Sequence, residues 1–206
     1  MNCIIYAVLF LCFYANVVTV EAEPEQIKAS SYLIEKWKQW YKLNDFNHDG
    51  MLSLADPVLF ENYFKGLDYI SDQQLKNMTK RMDWIWNTIV LNNNTDISKD
   101  DFVDMMSQRY ESDKIAFFEL VRMYITEWCG VIDLNKDNSL SKSELLMDMV
   151  AGGHNDITKD EDLFYSFQPR NDQIPVHKMI TSFIRFATED VESKSDIFKN
   201  ALDSGV

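Results

Sequence analysis

A twelve-residue segment, 133–144, places oxygen-bearing side chains at alternate positions and constrains the fold more than any other part of the chain. Because alternate residues of a tight loop point inward, these oxygens are predicted to converge on one cation between two helices. The backbone carbonyl of Ser139, at position 7, would join them. The candidate side-chain ligands, at positions 1, 3, 5, 9 and 12, are Asp133, Asn135, Asp137, Ser141 and Glu144.

This spacing is that of the EF-hand calcium loop. Ca²⁺ takes six to eight oxygen ligands at about 2.3–2.6 Å, and an acid at position 12, here Glu144, closes the cage with both carboxylate oxygens. Leu140 is the apolar residue at position 8. Position 6 is Asn138 instead of glycine. Because asparagine tolerates the left-handed conformation needed there, we expect only a small loss of affinity.

Residues 45–56 form a second loop of the same kind. Asp56 at position 12 is one methylene shorter than glutamate, which predicts weaker discrimination between Ca²⁺ and Mg²⁺. His48 at position 4 should point outward and be solvated, so it is not a candidate ligand. The candidate ligands are the side chains of Asp45, Asn47, Asp49 and Asp56, the carbonyl of Met51, and Ser53 either directly or through water.

A solvated acidic turn or a helix N-cap is the alternative reading of either loop. Two loops that share an apolar position 8, an acid at position 12 and flanking helices favour metal binding over that alternative.

Two further units are predicted to keep their helices without a metal site. The second loop, 90–101, has Asp101 as the single carboxylate among its side-chain ligand positions. The fourth loop, 167–178, ends on Lys178, whose positive charge would oppose a cation. Each active loop is therefore expected to be braced by a silent partner through a short antiparallel contact at position 8. These contacts should join Leu52 to Ile97 and Leu140 to Ile174.

Helical spacing of apolar residues predicts an all-α fold, since no long period-2 alternation occurs. We expect four EF-hand helix–loop–helix units, in two pairs packed as one compact domain with short β contacts between paired loops. Residues 23–110 should form the N-terminal pair and 111–190 the C-terminal pair, and the tail 191–206 should pack back or fray. The predicted helices cover 29–44, 55–69, 72–90, 99–110, 114–132, 142–151, 159–167 and 176–189.

The N-terminus predicts export from the cell. An apolar run from Cys3 to Val20 ends in small or modest residues before a possible cleavage after Ala22, the pattern of a secretory signal peptide over residues 1–22. A membrane anchor is the alternative, although no Lys or Arg precedes the run. Cleavage would leave Cys129 as the single cysteine, which we expect to be a buried free thiol. Sequons at Asn77 and Asn93 are candidate glycosylation sites.

The formal net charge of −13 narrows the possible partners. It argues against nucleic acid and against anionic membrane surfaces, because both require a basic face. No phosphate-binding loop or nucleophile elbow is present, and no histidine has a metal-ligand partner at helical spacing, so the chain is not predicted to be an enzyme. A secreted monomer whose main ligand is Ca²⁺ is the prediction.

Three further features support a family resemblance. They are the closure of the first loop by Asp56, the gap of about 45 residues to the next loop and the aromatic-rich first helices. The chain resembles the invertebrate sarcoplasmic calcium-binding proteins, relatives of calexcitin and the photoproteins, over nearly all of residues 29–190. The resemblance implies a compact fold and a role as a Ca²⁺/Mg²⁺ buffer. Members are usually cytosolic, and the apparent leader departs from that pattern.

Three functions remain open at this point. The first is a secreted Ca²⁺ buffer with about two ions. The second is a secreted interaction protein, for example salivary or from venom, whose Ca²⁺ is structural. The third is a carrier of an apolar small ligand, motivated by Trp37, Trp40, Trp84, Trp86 and Trp128. The methionine residues could line the groove of a sensor or pack in the core. We favour core packing for Met82, Met105, Met106 and Met179.

Overall fold

The first helix shows how the local sequence begins the fold. The computed structural model describes residues 28–205, so the predicted leader lies outside the described residues. Helix α1 (Ser31–Asn44) starts after Ser30, whose hydroxyl oxygen accepts a hydrogen bond from the backbone N–H of Leu33 and so caps the helix. Leu33, Trp37 and Trp40 are buried along one face, as their helical spacing predicted.

Four helix–loop–helix units follow one another along the chain. The first unit joins α1 through strand β1 (Met51–Ser53) to α2 (Ala55–Lys65). The second joins α3 (Asp72–Ile85) and a π-helical turn (Trp86–Val90) through β2 (Asp96–Ser98) to α4 (Lys99–Ser112). The third joins α5 (Lys114–Ile132) through β3 (Ser139–Ser141) to α6 (Lys142–Ala151). The fourth joins α7 (Ile157–Ser166) through β4 (Gln173–Pro175) to α8 (Val176–Thr188), and a short helix α9 (Ile197–Asp203) ends the chain. The predicted all-α class with four EF-hand units is confirmed.

The strands pair the loops two by two, as predicted. Strand β1 is antiparallel to β2 with Leu52 opposite Ile97, and β3 is antiparallel to β4 with Leu140 opposite Ile174. All four of these position-8 side chains are buried. Each loop predicted to bind metal is therefore held by a loop predicted to be silent, through a short apolar contact.

Aromatic rings join the two halves into one core. The Trp40 ring of α1 lies 5.7 Å from Phe102 of α4 and 4.9 Å from Tyr124 of α5, measured between ring centroids. It also lies 5.3 Å from Phe183 of α8, and all three contacts are edge-to-face, a favoured arrangement for aromatic pairs. The predicted packing of both pairs as one compact domain is confirmed.

The other apolar side chains named in the sequence analysis also lie in this core. Met82, Met106 and Met179 are buried, as the core interpretation predicted, and Met105 packs against the core. Cys129 is buried and free, also as predicted. In the part of the chain that the structure describes, no helix has both the length and the apolar character needed to cross a membrane.

The described residues of the tail pack against the rest of the protein instead of fraying. Phe198 of α9 contacts the rings of Phe167, Phe183 and Phe186. A buried ion pair supports this contact, since Lys36 Nζ of α1 lies 3.3 Å from Asp196 Oδ2.

Candidate metal centres

The loop between α1 and α2 turns through two left-handed residues, His48 (φ 57°) and Gly50 (φ 83°). This turn brings backbone N–H groups onto the acidic side chains of the loop. Asp45 Oδ2 accepts a hydrogen bond from the Gly50 N–H at 3.1 Å, and Asn47 Oδ1 accepts one from the Asp49 N–H at 2.9 Å. The oxygens at positions 1 and 3 are thereby oriented by the loop backbone.

The loop between α5 and α6 repeats this arrangement at positions 1 and 3, and in addition Asp133 Oδ1 accepts from the Asp137 N–H at 3.2 Å. Its left-handed residues are Lys136 (φ 60°) and Asn138 (φ 63°), which confirms the conformation predicted for position 6. Asp133 Oδ2 accepts from the Asn138 N–H at 3.0 Å, and Asn135 Oδ1 accepts from the Asp137 N–H at 2.9 Å. The two loops are therefore built alike, although their sequences differ at most positions.

Position 5 follows the same rule in both loops. Asp49 Oδ1 accepts from the Met51 N–H at 2.8 Å, and Asp137 Oδ1 accepts from the Ser139 N–H at 2.8 Å. Met51 and Ser139, whose carbonyls are the candidate ligands at position 7, are the first residues of β1 and β3. Their backbones are thus fixed by strand pairing.

The position-12 carboxylate spans each loop. Asp56 accepts hydrogen bonds from the N–H of Asn47 at 3.3 Å and of Ser53 at 2.9 Å, one on each oxygen. Glu144 accepts from Leu134 at 3.0 Å on one oxygen and from Ser141 at 2.9 Å on the other. The closing acid therefore holds the start and the end of the loop together.

The two position-9 serines make hydrogen bonds to backbone N–H groups near the start of the next helix, and only Ser141 is an N-cap residue. Ser141 caps α6, where its hydroxyl oxygen accepts from the Glu144 N–H and its O–H donates to Glu144 Oε2 at 2.7 Å. Ser53 Oγ accepts from the Ala55 N–H at 3.1 Å. Both hydroxyl groups therefore take part in hydrogen bonds at the position where the next helix begins.

The local electrostatics favour a cation at these loops. Burial raises the pKa of Asp56 and of Asp133 above the usual aspartate range, although backbone N–H donors counteract the effect. Asp45 Oδ1 is buried and has no hydrogen-bond partner. A buried carboxylate oxygen without a partner is costly, and a bound cation would relieve that cost.

The donor set of each loop fits Ca²⁺ through several kinds of oxygen. No group of three or more His, Cys, Asp and Glu side chains within residues 28–205 is close enough to hold a metal by itself. Each loop offers amide, hydroxyl and carbonyl oxygens beside its three carboxylates, and hard cations such as Ca²⁺ and Mg²⁺ accept such mixed oxygen sets. The candidate ligand lists therefore remain predictions, and the three carboxylates of a loop would not hold the ion without the other oxygens.

The two silent loops lack the closing interaction. Asp101 is exposed, and its Oδ2 accepts hydrogen bonds from the N–H and the O–H of Ser98. Ser98 is the N-cap residue of α4, so these bonds belong to the capping box of that helix. Val90, at position 1 of the same loop, belongs to the π-helical turn. In the fourth loop, Lys178 Nζ donates to the carbonyl of Phe167, so a basic group occupies the closing position.

Several supporting contacts were not predicted. Gln173 of β4 donates to Asp137 Oδ2 at 3.2 Å, and Gln74 of α3 donates to the carbonyl of Leu134 at 3.0 Å. The predicted pairing of Leu140 with Ile174 was a usable signal for the first contact, since it sets Gln173 beside the third loop. His48 is exposed, but its Nε2 lies 3.3 Å from the carbonyl of Gly153, so its interpretation as purely solvated was incomplete.

Comparisons with known proteins agree with this architecture. No family model matches the chain. The sarcoplasmic calcium-binding protein of Mizuhopecten yessoensis is 30% identical over 177 residues, which cover 85% of this chain and 100% of that protein. The calcium-loaded apo form of the coelenterazine-binding protein from Renilla muelleri has a TM-score of 0.68 at 18% identity, covering 82% of this chain and 93% of the other. The photoprotein mitrocomin from Mitrocoma cellularia has a TM-score of 0.61 at 15% identity, covering 87% and 97%.

Proposed function

Since the chain belongs to the sarcoplasmic calcium-binding protein family, we propose that it binds two Ca²⁺ ions, in loops 45–56 and 133–144, and acts as a Ca²⁺ buffer. The observation that carries this proposal is the hydrogen-bond network that both loops share at positions 1, 3, 5 and 12. Among the described residues, the second loop keeps one part of this network, the bonds from Ser98 at position 9 to Asp101 at position 12, and no bond from the start of that loop reaches Asp101. The fourth loop, all of whose residues are described, has none of these bonds and ends on Lys178.

In each active loop the chain preorganises its oxygens. Backbone N–H groups fix the orientation of Asp45 and Asp133 at position 1, while Asp56 and Glu144 tie the two ends of their loops together. Such preorganisation lowers the conformational entropy lost on binding. The bound ion supplies positive charge that offsets the mutual repulsion of three carboxylates.

Buffering is favoured over sensing because methionine side chains that could line a sensor's groove are buried in the core. A sensor opens a methionine-rich groove, whereas Met82, Met106 and Met179 are buried in the core shared by both halves. Loop 45–56 is also proposed to accept Mg²⁺, since Asp56 is too short to favour bidentate ligation of a larger ion.

Secretion is part of the proposal. It is supported by the apolar run over residues 3–20 and by the small-residue exit after it. The exposed Asn93 lies at the surface of the silent second loop, where a glycan would not obstruct either proposed site. Cell fractionation of the full-length protein, with mass spectrometry of its N-terminus, tests this part: an intact leader inside the cell would overturn it.

Calorimetric titration tests the binding function. We expect two sites that saturate at or below millimolar Ca²⁺, the weak limit of extracellular EF-hand modules. Absence of binding heat at that concentration would overturn the proposal. The interaction-protein alternative would gain support if an Asp45→Ala/Asp133→Ala variant, still helical, recovered the same protein partner as the wild type.

One cavity bears on the carrier alternative. It measures about 70 Å³ and is lined by side chains of both halves, among them Phe46, Trp128 and Phe183. Sites for drug-sized ligands usually measure about 300–1,000 Å³. The cavity is therefore too small for such a ligand without rearrangement, and buffering remains the function that the geometry supports best.

A further inference from the structure

The fourth loop has a lysine where the active loops have their closing acid. Lys178 stands at position 12, and its ammonium group donates a hydrogen bond to the carbonyl of Phe167 at position 1. In an EF-hand a bound cation connects these same two positions. Here a positive charge that belongs to the chain makes the connection directly.

The acceptor of this bond lies where a cation is most stabilised. Phe167 follows the last residue of α7, whose terminal carbonyl groups carry the negative end of the helix dipole. Its side chain is fully buried and contacts Phe198, so the acceptor is held in place by the core. The lysine thus ties α8 to a fixed point at the end of α7.

The second helix–loop–helix unit contains a similar hydrogen bond between a basic side chain and a carbonyl group near a helix end. Arg109 of α4 donates to the carbonyl of Ile89 at 3.0 Å, in the π-helical turn that precedes the second loop. In both silent units, therefore, a basic side chain of the exiting helix reaches a terminal carbonyl of the entering helix. Basic side chains at such carbonyls are favourable, as they are at helix C-termini generally.

The fourth loop touches the third loop at several of its positions. Gln173 donates to Asp137 Oδ2 at 3.2 Å, and the N–H of Val176 donates to the carbonyl of Asn138 at 3.0 Å. Strand β4 also pairs with β3 along its whole length. Any change in the conformation of loop 167–178 would therefore reach positions 5 and 6 of the calcium loop.

We propose that Lys178 is a built-in cation that keeps the fourth loop closed without metal and is thereby a positioning residue for the Ca²⁺ site in loop 133–144. The part that concerns affinity rests on the proposed function of that loop. The part that concerns loop closure holds in the metal-free protein as well.

The first arm of the test measures amide hydrogen exchange in the metal-free, full-length protein. In a Lys178→Met variant the amides of Gln173, Ile174 and Val176 should exchange about tenfold faster than in the wild type, because a charge-assisted hydrogen bond is lost while the stem of the side chain is kept. Lys178→Arg should retain protection. Lys76→Met, at an exposed lysine of α3, serves as the matched control and should change nothing.

The second arm measures Ca²⁺ affinity in an Asp45→Ala background, in which loop 133–144 alone binds. Lys178→Met should weaken binding about three- to tenfold and Lys178→Arg should restore it, with circular dichroism confirming equal helix content. Unchanged exchange in Lys178→Met would overturn loop closure, and unchanged affinity would overturn the positioning role. If the parent background binds no Ca²⁺, the proposed function fails, and the exchange arm still decides the role of Lys178 in loop closure.

Discussion

Loops 45–56 and 90–101 lie side by side in one β-pair, yet only the first turns its closing acid inward. Asp56 is fully buried and accepts hydrogen bonds from both ends of its loop, whereas Asp101 is exposed and takes part only in the capping box at the start of α4. Strand pairing is therefore retained in both loops. What separates the loop proposed to bind metal from its proposed silent partner is the carboxylate that crosses it.

The C-terminal pair repeats this contrast with opposite charges. Glu144 closes the third loop as an acceptor, whereas Lys178 closes the fourth as a donor. The left-handed residues differ too. Both active loops use positions 4 and 6, while loop 90–101 uses positions 3 and 4, with Asn92 and Asn93. The two loops proposed to bind metal are thus the ones that combine this backbone turn with a crossing acid.

The strongest test of this contrast exchanges the closing acids for neutral amides. Glu144→Gln should weaken Ca²⁺ binding in loop 133–144 by about 100-fold or more, because even residues that only support a metal ligand contribute about 10–100-fold to affinity. Calorimetric titration should then show one site. Asp101→Asn is the matched control at the same loop position and should leave two sites; a lost site in that variant would contradict the assignment.

The pH dependence of stability can be tested at a buried carboxyl group outside the two proposed metal loops. Burial raises the pKa of Asp148 on α6 to about 7, with a smaller contribution from the charge of Asp160, beside which His154 lies. Because the folded state then binds the extra proton, this stability contribution is complete at low pH and is lost as pH rises through about 7. One such group lowers the free energy of unfolding by about 1.4 kcal/mol from pH 6 to pH 8.5.

Urea unfolding of the metal-free protein across that pH range measures this effect. Asp148→Asn should flatten the profile by the stated amount, whereas Asp104→Asn, at an exposed site of α4, should follow the wild type. An unchanged profile in the Asp148 variant would show that this carboxyl group ionises normally.

The two active loops should also differ in ion preference. Asp56→Glu lengthens the closing acid of loop 45–56 and should raise the ratio of Ca²⁺ to Mg²⁺ affinity about fivefold, since bidentate closure suits the larger ion. Titration of Ca²⁺ with and without millimolar Mg²⁺, in an Asp133→Ala background, measures the ratio. An unchanged ratio would mean that the length of the acid does not set selectivity here.

The smallest expected effect concerns position 6. Asn138 has φ 63°, which glycine adopts at lower cost, so Asn138→Gly should strengthen binding in its loop about two- to threefold. Gly50→Asn should weaken the first loop by a similar factor. Equal affinities in all variants would show that the left-handed turn costs nothing in either loop.

The parts of the structure that sequence could predict are those set by spacing. Ligand positions fix the loop register, and the apolar residue at position 8 then fixes which residues pair, as Leu52 and Ile97 do. Helix spans follow from apolar periodicity, so the predicted helix 114–132 matches α5 at both ends.

The contacts between elements could not be predicted in the same way. The bond from Lys178 to Phe167, and the bond from Gln74 to Leu134, depend on side-chain conformers and on how two helices pack. The sequence showed that Lys178 would exclude a cation, but not that its own ammonium group would close the loop. The packing of the tail depended likewise on the pocket that accepts Phe198.

Counting bound ions by native mass spectrometry tests the central claim most directly. In saturating Ca²⁺ the protein should carry two ions. The Asp45→Ala and Asp133→Ala variants should carry one each, and the double variant none. Three or four ions on the wild type, or two ions retained by the double variant, would contradict the division into two active and two silent loops.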